Sequence, residues 1–266
     1  TADVTQWSAS ASALAAVSPT HLIHAATPAS ASLNAEAPIR MATIAAEGTR
    51  QVLSWAASRG VARSLLTSSG AIYGRQPAEL PAMPESYAGA PDPLDSSQAY
   101  AEGKRLAENY AAAFSASGQL PVTVARCFAF AGPLLPLDAH FAFGNFVRDA
   151  VAGGPIVVQG DGTPLRSYLY ATDLVVWLLH LLVRGRAGRA YNVGSSRAVS
   201  IRDLARQIAE LGGCDYRVLR EPVEGVAPAR YVPDTTLAQR ELGLQERVLL
   251  RESITRTLSW ARRASP

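Results

Sequence analysis

Cysteine is scarce in this sequence, and so are long apolar runs and any strong imbalance of charge. The two cysteines, Cys127 and Cys214, lack metal-ligand spacing and are too few for a disulfide-stapled fold. Two isolated thiols suit a reducing cytoplasm, and Cys127, inside the apolar run VTVARCFAF, is expected to be buried and inert. No apolar run reaches the ~18 residues of a membrane span. The nearest, LVVWLLHLLV at 174–183, is bounded by Asp173 and Arg184 and reads as a buried helix. A formal charge of +3, with no cluster of Arg and Lys among aromatics, argues against a nucleic-acid partner. No signal-peptide pattern follows Thr1, and there is neither an internal repeat nor a low-complexity tail. What is there is 266 residues, 48% hydrophobic and 18% charged, enough to bury a large core in one big domain or two closely joined ones.

The stretch from Leu65 to Lys104 organises the rest. It reads LLTSSGAIYG, then a Pro-rich segment, then SSQAYAEGK. Ser69 ends an apolar strand pattern, and Tyr100 and Lys104 stand four residues apart on a helical pattern, so phenol and ammonium share one face. A phenol of pKa ~10 is a poor base at neutral pH, and a nearby positive charge is expected to lower that pKa. With the Ser69 hydroxyl beside it, the set can move a proton on and off an alcohol during hydride transfer.

In chain order, a helical pattern at 8–17 is stopped by Pro19, and HLIHAAT (21–27) reads as a buried parallel strand. A helix is expected over 40–59 with Gly60 as its C-terminal glycine, then a strand over 61–69, a long loop over 75–97, a helix over 100–116 and a strand over 121–130. Beyond Pro133 come a helix at 143–152, the strand PIVVQG, the turn GDGT, and the helix over 174–183 with Asp173 as its N-terminal cap. The strand RAYNVGS, a helix at 201–211 capped by Ser200, and two helices after Asp234 and Arg251 complete the chain. Strand–helix alternation implies a doubly wound parallel sheet, with ligands at the carboxyl ends of its strands.

HLIHAAT, Gly48–Thr49, LLTSSGAIYG, YAEGK, ARCFAFAGP, GDGTPLRSYLYATDL and AYNVGS, in that order, resemble the extended short-chain dehydrogenase/reductase family, and within it the NAD-dependent nucleotide-sugar epimerases and dehydratases. The resemblance implies a Rossmann-like dinucleotide-binding domain over 1–133 and 166–198, and a smaller α+β substrate domain over 134–165 and 199–266. It implies Tyr100 as base, Lys104 as its partner and a nicotinamide-ribose contact, and Ser69 as the supporting hydroxyl. Asp3, Val4, Ala25, Ala26 and Ser68 fall where the family lines its cofactor, NAD or NADP. Asn145, Arg166 and Arg230 fall where it holds the substrate, a nucleotide sugar. A cytoplasmic homodimer, joined through the helices at 40–59 and 100–116, is the family's usual form. The reaction expected is epimerisation or 4-ketoreduction. The alternatives are a non-catalytic binding relative and a reductase of a small non-nucleotide carbonyl compound.

Departures from the family sharpen these expectations. Residues 1–30 contain no glycine-rich phosphate turn, so the first βαβ unit, roughly 50–60 residues with its loops, is expected to lie outside this sequence. Ala45 and Ala129 stand where the family often carries Asn. Gly70 and Ala71 follow Ser69 where its dehydratases resemble Asp-Glu and its uronate decarboxylases carry Glu at the second position. Neither residue can act as acid or base, which argues against water loss and decarboxylation. The alternative source of an acid is the loop with Asp138 and His140.

Overall fold

A computed structural model of the chain describes residues 3–7, 14–139 and 141–264. The expected helix at 8–17 falls largely outside these residues, as does His140. Four parallel strands form the main sheet: β1 (His21–His24), β2 (Arg63–Ser69), β3 (Val122–Cys127) and β8 (Ala190–Val193), in the order β1-β2-β3-β8. Their register aligns Ser69 with Cys127 and Cys127 with Val193, so the carboxyl ends lie side by side. Smaller pairings complete the β-structure: β4 (Phe130–Ala131) with β7 (Leu169–Tyr170), and β5 (Ile156–Val158) with β10 (Tyr216–Val218). Next to them β6 (Leu165–Arg166) pairs with both β9 (Val199–Ser200) and β11 (Arg230–Tyr231).

Eight α-helices are described: α1 (Ala31–Glu36), α2 (Pro38–Ser58), α3 (Ala99–Ala116), α4 (Ala142–Val151), α5 (Ala171–Arg184), α6 (Ile201–Gly212), α7 (Thr236–Leu242) and α8 (Leu250–Ala264). Pro38 opens α2 where a missing N–H costs nothing, and Gly60, just past its end, takes the left-handed φ of +66°. Ser200 caps α6 by accepting the Asp203 N–H, as its position predicts. Asp173 is not a cap. Tyr170 occupies that position in α5, and the buried Asp173 carboxylate instead accepts N–H groups of Arg247 and Val248 at 2.8 and 2.9 Å. It ties α5 to the chain before α8.

Successive strand residues point to opposite faces, which splits the sheet's core in two. Leu66 and Val124 pack under α2 and α3 with Leu53, Ala56, Ala107 and Ala111. Leu65 and Ala125 pack under α5 with Trp177, Leu181, Tyr191 and Val193. Each fully buried leucine contributes roughly 2 kcal/mol. A third cluster, including Phe143, Val147, Ile156, Leu204, Ile208, Ile254 and Leu258, joins α4, α6, α8 and β5. Ala131 and Tyr168 also belong to this third cluster, whereas Ala238 and Leu244 join the core under the sheet.

Helices α2 and α3 lie unusually close. A Cβ on Gly103 would meet the Ala45 Cβ at 2.8 Å and Ala42 backbone at 3.2 Å, so the close approach holds position 103 to glycine. This approach seats α3 firmly on the sheet, and α3 carries both Tyr100 and Lys104.

Candidate active site

The first turn of α3 lacks a side-chain cap of its own. Asn34, from α1, supplies it: its Oδ1 accepts the Tyr100 N–H at 2.9 Å while its amide donates to the Ser97 carbonyl at 2.6 Å. Tyr100 is thereby fixed beside the end of β2. There the Ser69 Oγ accepts the Ala71 N–H at 3.1 Å, and Ser69, Tyr100 and Tyr231 line the same cavity.

One turn on, Lys104 is 3% exposed. Its Nζ donates to the Thr67 carbonyl at 2.7 Å and lies 5.9 Å from the Tyr100 ring centroid. Burial pushes its pKa down to about 8. Burial also raises the Tyr100 phenol, against a smaller opposite pull from Ser69. The sequence-based expectation of a phenol lowered by Lys104 is therefore corrected: desolvation dominates, and the ammonium bonds a carbonyl instead of the phenol.

Below Lys104 lies a second buried base. Thr49 Oγ1 donates to the Ala45 carbonyl at 2.6 Å, so it receives its 3.0 Å bond from His24 Nε2, which carries the ring proton. Burial first, and the Lys104 charge second, bring the His24 pKa down to about 4. The imidazole is neutral, with its ring orientation set by Thr49.

Ser68, Ser69, Tyr100 and Arg166 line one cavity of about 630 Å³, together with Tyr168 and Tyr231. Cys127 also reaches it, its thiol pushed up to about 12 by burial and hence inert. No carboxylate or imidazole is among its described lining residues. Gly70 is held to glycine by the Phe128 ring, which lies 2.6 to 2.8 Å from where its Cβ would stand. Asp138 is exposed and does not line the cavity.

The other expected residues lie elsewhere. Asp3 is exposed, accepting the N–H and hydroxyl of Thr5, and Val4 packs against Gly48. Ala25 and Ala26 are exposed at the carboxyl end of β1. Asn145 lies on α4 with its Oδ1 buried and unbonded. Ser68 lines the cavity, but its hydroxyl donates to Glu108 at 2.6 Å. Arg230 pairs in register with Leu165, whereas Tyr231 pairs with Arg166. By the alternation of a strand, Tyr231 and Arg166 share the cavity face and Arg230 faces away. Tyr231, Asn34 and His24 are the site residues that sequence reasoning missed. A two-residue strand gives no periodicity to read, Asn34 acts across 66 residues of sequence, and His24 is one polar residue in an apolar run.

A buried network backs this wall. Glu108 holds Arg126 at 2.8 Å, Arg126 donates to the Tyr73 hydroxyl at 2.8 Å, and that hydroxyl donates to Asn192 Oδ1 at 2.8 Å. Asn192 in turn donates to the Met83 and Asp234 carbonyls. The network joins α3, β2, β3 and β8 with the segments at 83 and 234.

The sequence model of the NAD dependent epimerase/dehydratase family matches residues 1–194. UDP-glucuronic acid decarboxylase 1 of Arabidopsis thaliana is 32% identical over 238 residues, covering 90% of this chain and 54% of that protein. The Xenopus tropicalis protein of the same name is 31% identical over 244 residues, covering 91% and 56%. The chain thus spans about half the length of these curated relatives. Among solved structures, UDP-glucose 4-epimerase of Thermotoga maritima with UDP-glucose superposes with a TM-score of 0.86 at 24% identity, covering 100% of this chain and 84% of that one. RMD of Pseudomonas aeruginosa, complexed with NADPH, gives 0.86 at 23% identity, covering 99% and 88%. At these identities the two structures speak for the fold alone.

Proposed function

The chain belongs to the NAD dependent epimerase/dehydratase family, and from that premise we propose that it is an epimerase or 4-ketoreductase of nucleotide-linked hexoses. The observation that carries this reading is the convergence of Ser69, Tyr100 and Arg166 on one cavity with no carboxylate among its described lining residues, and with Lys104 buried beside Tyr100.

Lys104 fits the nicotinamide-ribose end of NAD or NADP. One of its three donors is spent on the Thr67 carbonyl, leaving two for ribose hydroxyls. The exposed Ala25 and Ala26 offer backbone without bulk at the end of β1. When bound, the nicotinamide supplies the hydride acceptor or donor. Tyr100 takes the proton from a sugar hydroxyl as hydride leaves its carbon, and returns it in the reverse step. Ser69 hydrogen-bonds the reacting oxygens. Arg166, its Nη1 anchored on the Leu165 carbonyl at 2.9 Å, offers its remaining donors to the diphosphate. Asp3, Val4 and Ser68 remain assigned to the cofactor side and Asn145 and Arg230 to the substrate side, although none of the last two lines the cavity. A homodimer through α2 and α3 is supported by Ile39 and Leu106, which are 84% and 44% exposed.

The decarboxylase relatives favour a second reading, loss of carbon dioxide from a uronate. Ala71 on the cavity wall and the Phe128 ring over Gly70 oppose it, since no acid or base stands at either position. The test is to incubate the natural full-length protein with NAD(P) and a panel of nucleotide hexoses and uronates, following products by mass spectrometry. Isomers of unchanged mass, or simple reduction of keto sugars, are expected. Loss of water or carbon dioxide at a useful rate would overturn the assignment.

A further inference from the structure

We infer that the sugar this cavity takes is a 6-deoxyhexose, with a methyl group on C5 where an ordinary hexose carries a hydroxymethyl and a uronate a carboxylate. The inference deepens the hydride-transfer reading above and rests on it.

On that reading Ser69 and Tyr100 place the reacting carbon, and the sheet decides what flanks it. Ser69 and Cys127 are register partners at the ends of β2 and β3. The residues two positions beyond each, Ala71 and Ala129, both line the cavity, and Phe128 lines it with them. The Phe128 ring is held against Gly70 on one side and packs on the Tyr231 ring with centroids 4.6 Å apart. The wall beside the reacting carbon is therefore two methyl groups and a phenyl ring.

The backbone of that wall is already bonded. The Ala71 N–H goes to Ser69, and the Ala71 carbonyl accepts the Gly74 N–H at 3.0 Å. The Phe128 N–H goes to the Val193 carbonyl at 2.9 Å, and the Ala129 carbonyl accepts the Leu169 N–H at 3.1 Å. Polar side chains elsewhere on the cavity are committed too: Ser30 accepts the Leu33 N–H, Asn34 caps α3, and Ser68 donates to Glu108. Tyr168 and Tyr231 stand with Arg166, at the end given to the diphosphate.

A hexose reacting at C4 has C3 and C5 as its ring neighbours. A 3-hydroxyl stands directly beside the reacting oxygen and can share the proton or the lone pair that Ser69 has left. The C6 group projects one bond further, onto the apolar wall. A hydroxyl there leaves water for methyl groups and a phenyl ring, with its donor and acceptor unpaired. A carboxylate is worse placed, because Arg166 is the one charged residue among the described lining residues and serves the diphosphate. A methyl group loses nothing on entering and buries apolar area.

The unpaired hydroxyl is expected to lower kcat/KM by about 10- to 100-fold. The test uses the natural full-length protein with NAD(P) and paired substrates: glucose with 6-deoxyglucose, and galactose with 6-deoxygalactose, each linked to UDP, dTDP and GDP. Nicotinamide absorbance follows oxidation and reduction, and NMR follows sugar configuration. In each pair that reacts, the 6-deoxy member should be preferred by that factor. Ala71→Ser and Ala129→Ser each put a hydroxyl on the wall, and at least one should narrow the preference about tenfold by raising kcat/KM for the hydroxymethyl sugar. Equal kcat/KM for the two members, or a preference that neither serine narrows, would overturn the inference and leave the hydride-transfer reading standing. Turnover of no pair at all would sink that reading, and this inference with it.

Discussion

Replacing Lys104 by Met should inactivate the protein and stabilise it. Lys104 is the only lysine among the 25 basic residues, and it is almost fully buried. Its pKa lies at about 8, against an ordinary value of 10.5. That gap corresponds to about 3 kcal/mol spent at neutral pH on keeping the ammonium charged out of water. Methionine fills similar space without the charge, but leaves the Thr67 carbonyl without its 2.7 Å donor, a loss of about 1 to 2 kcal/mol. The net gain expected near pH 7 is therefore about 1 to 2 kcal/mol. Its pH dependence has a definite sign. Between about 8 and 10.5 the unfolded chain holds a proton that the folded protein has released, so wild-type stability rises with pH across that window. The variant has no such group, and its advantage should shrink through the window and vanish or reverse above it. Urea denaturation of both proteins at a series of pH values measures this directly. Since there is one lysine, selective lysine isotope labelling gives a single Nζ signal whose titration reports the pKa without assignment. A variant less stable than wild type by a pH-independent amount, or a lysine titrating near 10.5, would refute the desolvation argument.

Other outcomes follow from the same site and its supports. Tyr100→Phe should lower turnover by a factor of ~10² to 10⁴, and a change under tenfold in steady-state assays would count against its role as base. His24, neutral in the fold with a pKa of about 4, should lose the protein about 3 kcal/mol as pH falls from about 6.5 through 4, because the unfolded chain takes up the proton first. His24→Gln should flatten that acid limb in urea midpoints. Gly70→Ala should destabilise by about 1 to 3 kcal/mol, since its methyl meets the Phe128 ring, and a thermal melt unchanged from wild type would contradict that packing. Arg126→Met should cost about 3 to 5 kcal/mol by leaving the Glu108 carboxylate buried and unpaired, readable as a shifted denaturation midpoint.

Most of the fold was legible because the strands and helices of the sheet carry strong local signals. The run RSLLTSS has to be a central strand, and α2 is bracketed by Pro38 and Gly60. Tyr100 and Lys104 could be paired from helical spacing alone. What the sequence did not disclose is set by distance and register. Arg230 and Tyr231 are adjacent, and only their pairing with β6 decides which faces the cavity. Asp173 reads as a cap by position, yet its partners lie 74 and 75 residues away. The sign of the Tyr100 shift depends on how deeply the phenol is buried, which no spacing rule contains.

The use of lysine at one position only bears on why a buried ammonium is retained at all. Arginine occupies the other 24 basic positions, so residue 104 does not follow the usage of the rest of the chain. A guanidinium is planar and keeps its proton throughout the physiological range, whereas an ammonium is compact, with three donors free to rotate. At position 104 the neighbouring Gly103 is already tight against Ala45, and the group must reach the Thr67 carbonyl while standing beside Tyr100. A compact point charge meets those conditions; a planar fork does not. Burial lowers His24 beneath it as well, and the Lys104 charge makes the protonation of His24 harder still. In the absence of ligand the fold carries that cost without return. On the function proposed above, the two donors that the Thr67 carbonyl leaves free serve ribose hydroxyls, and that use is the return for a charge held out of water at the start of α3.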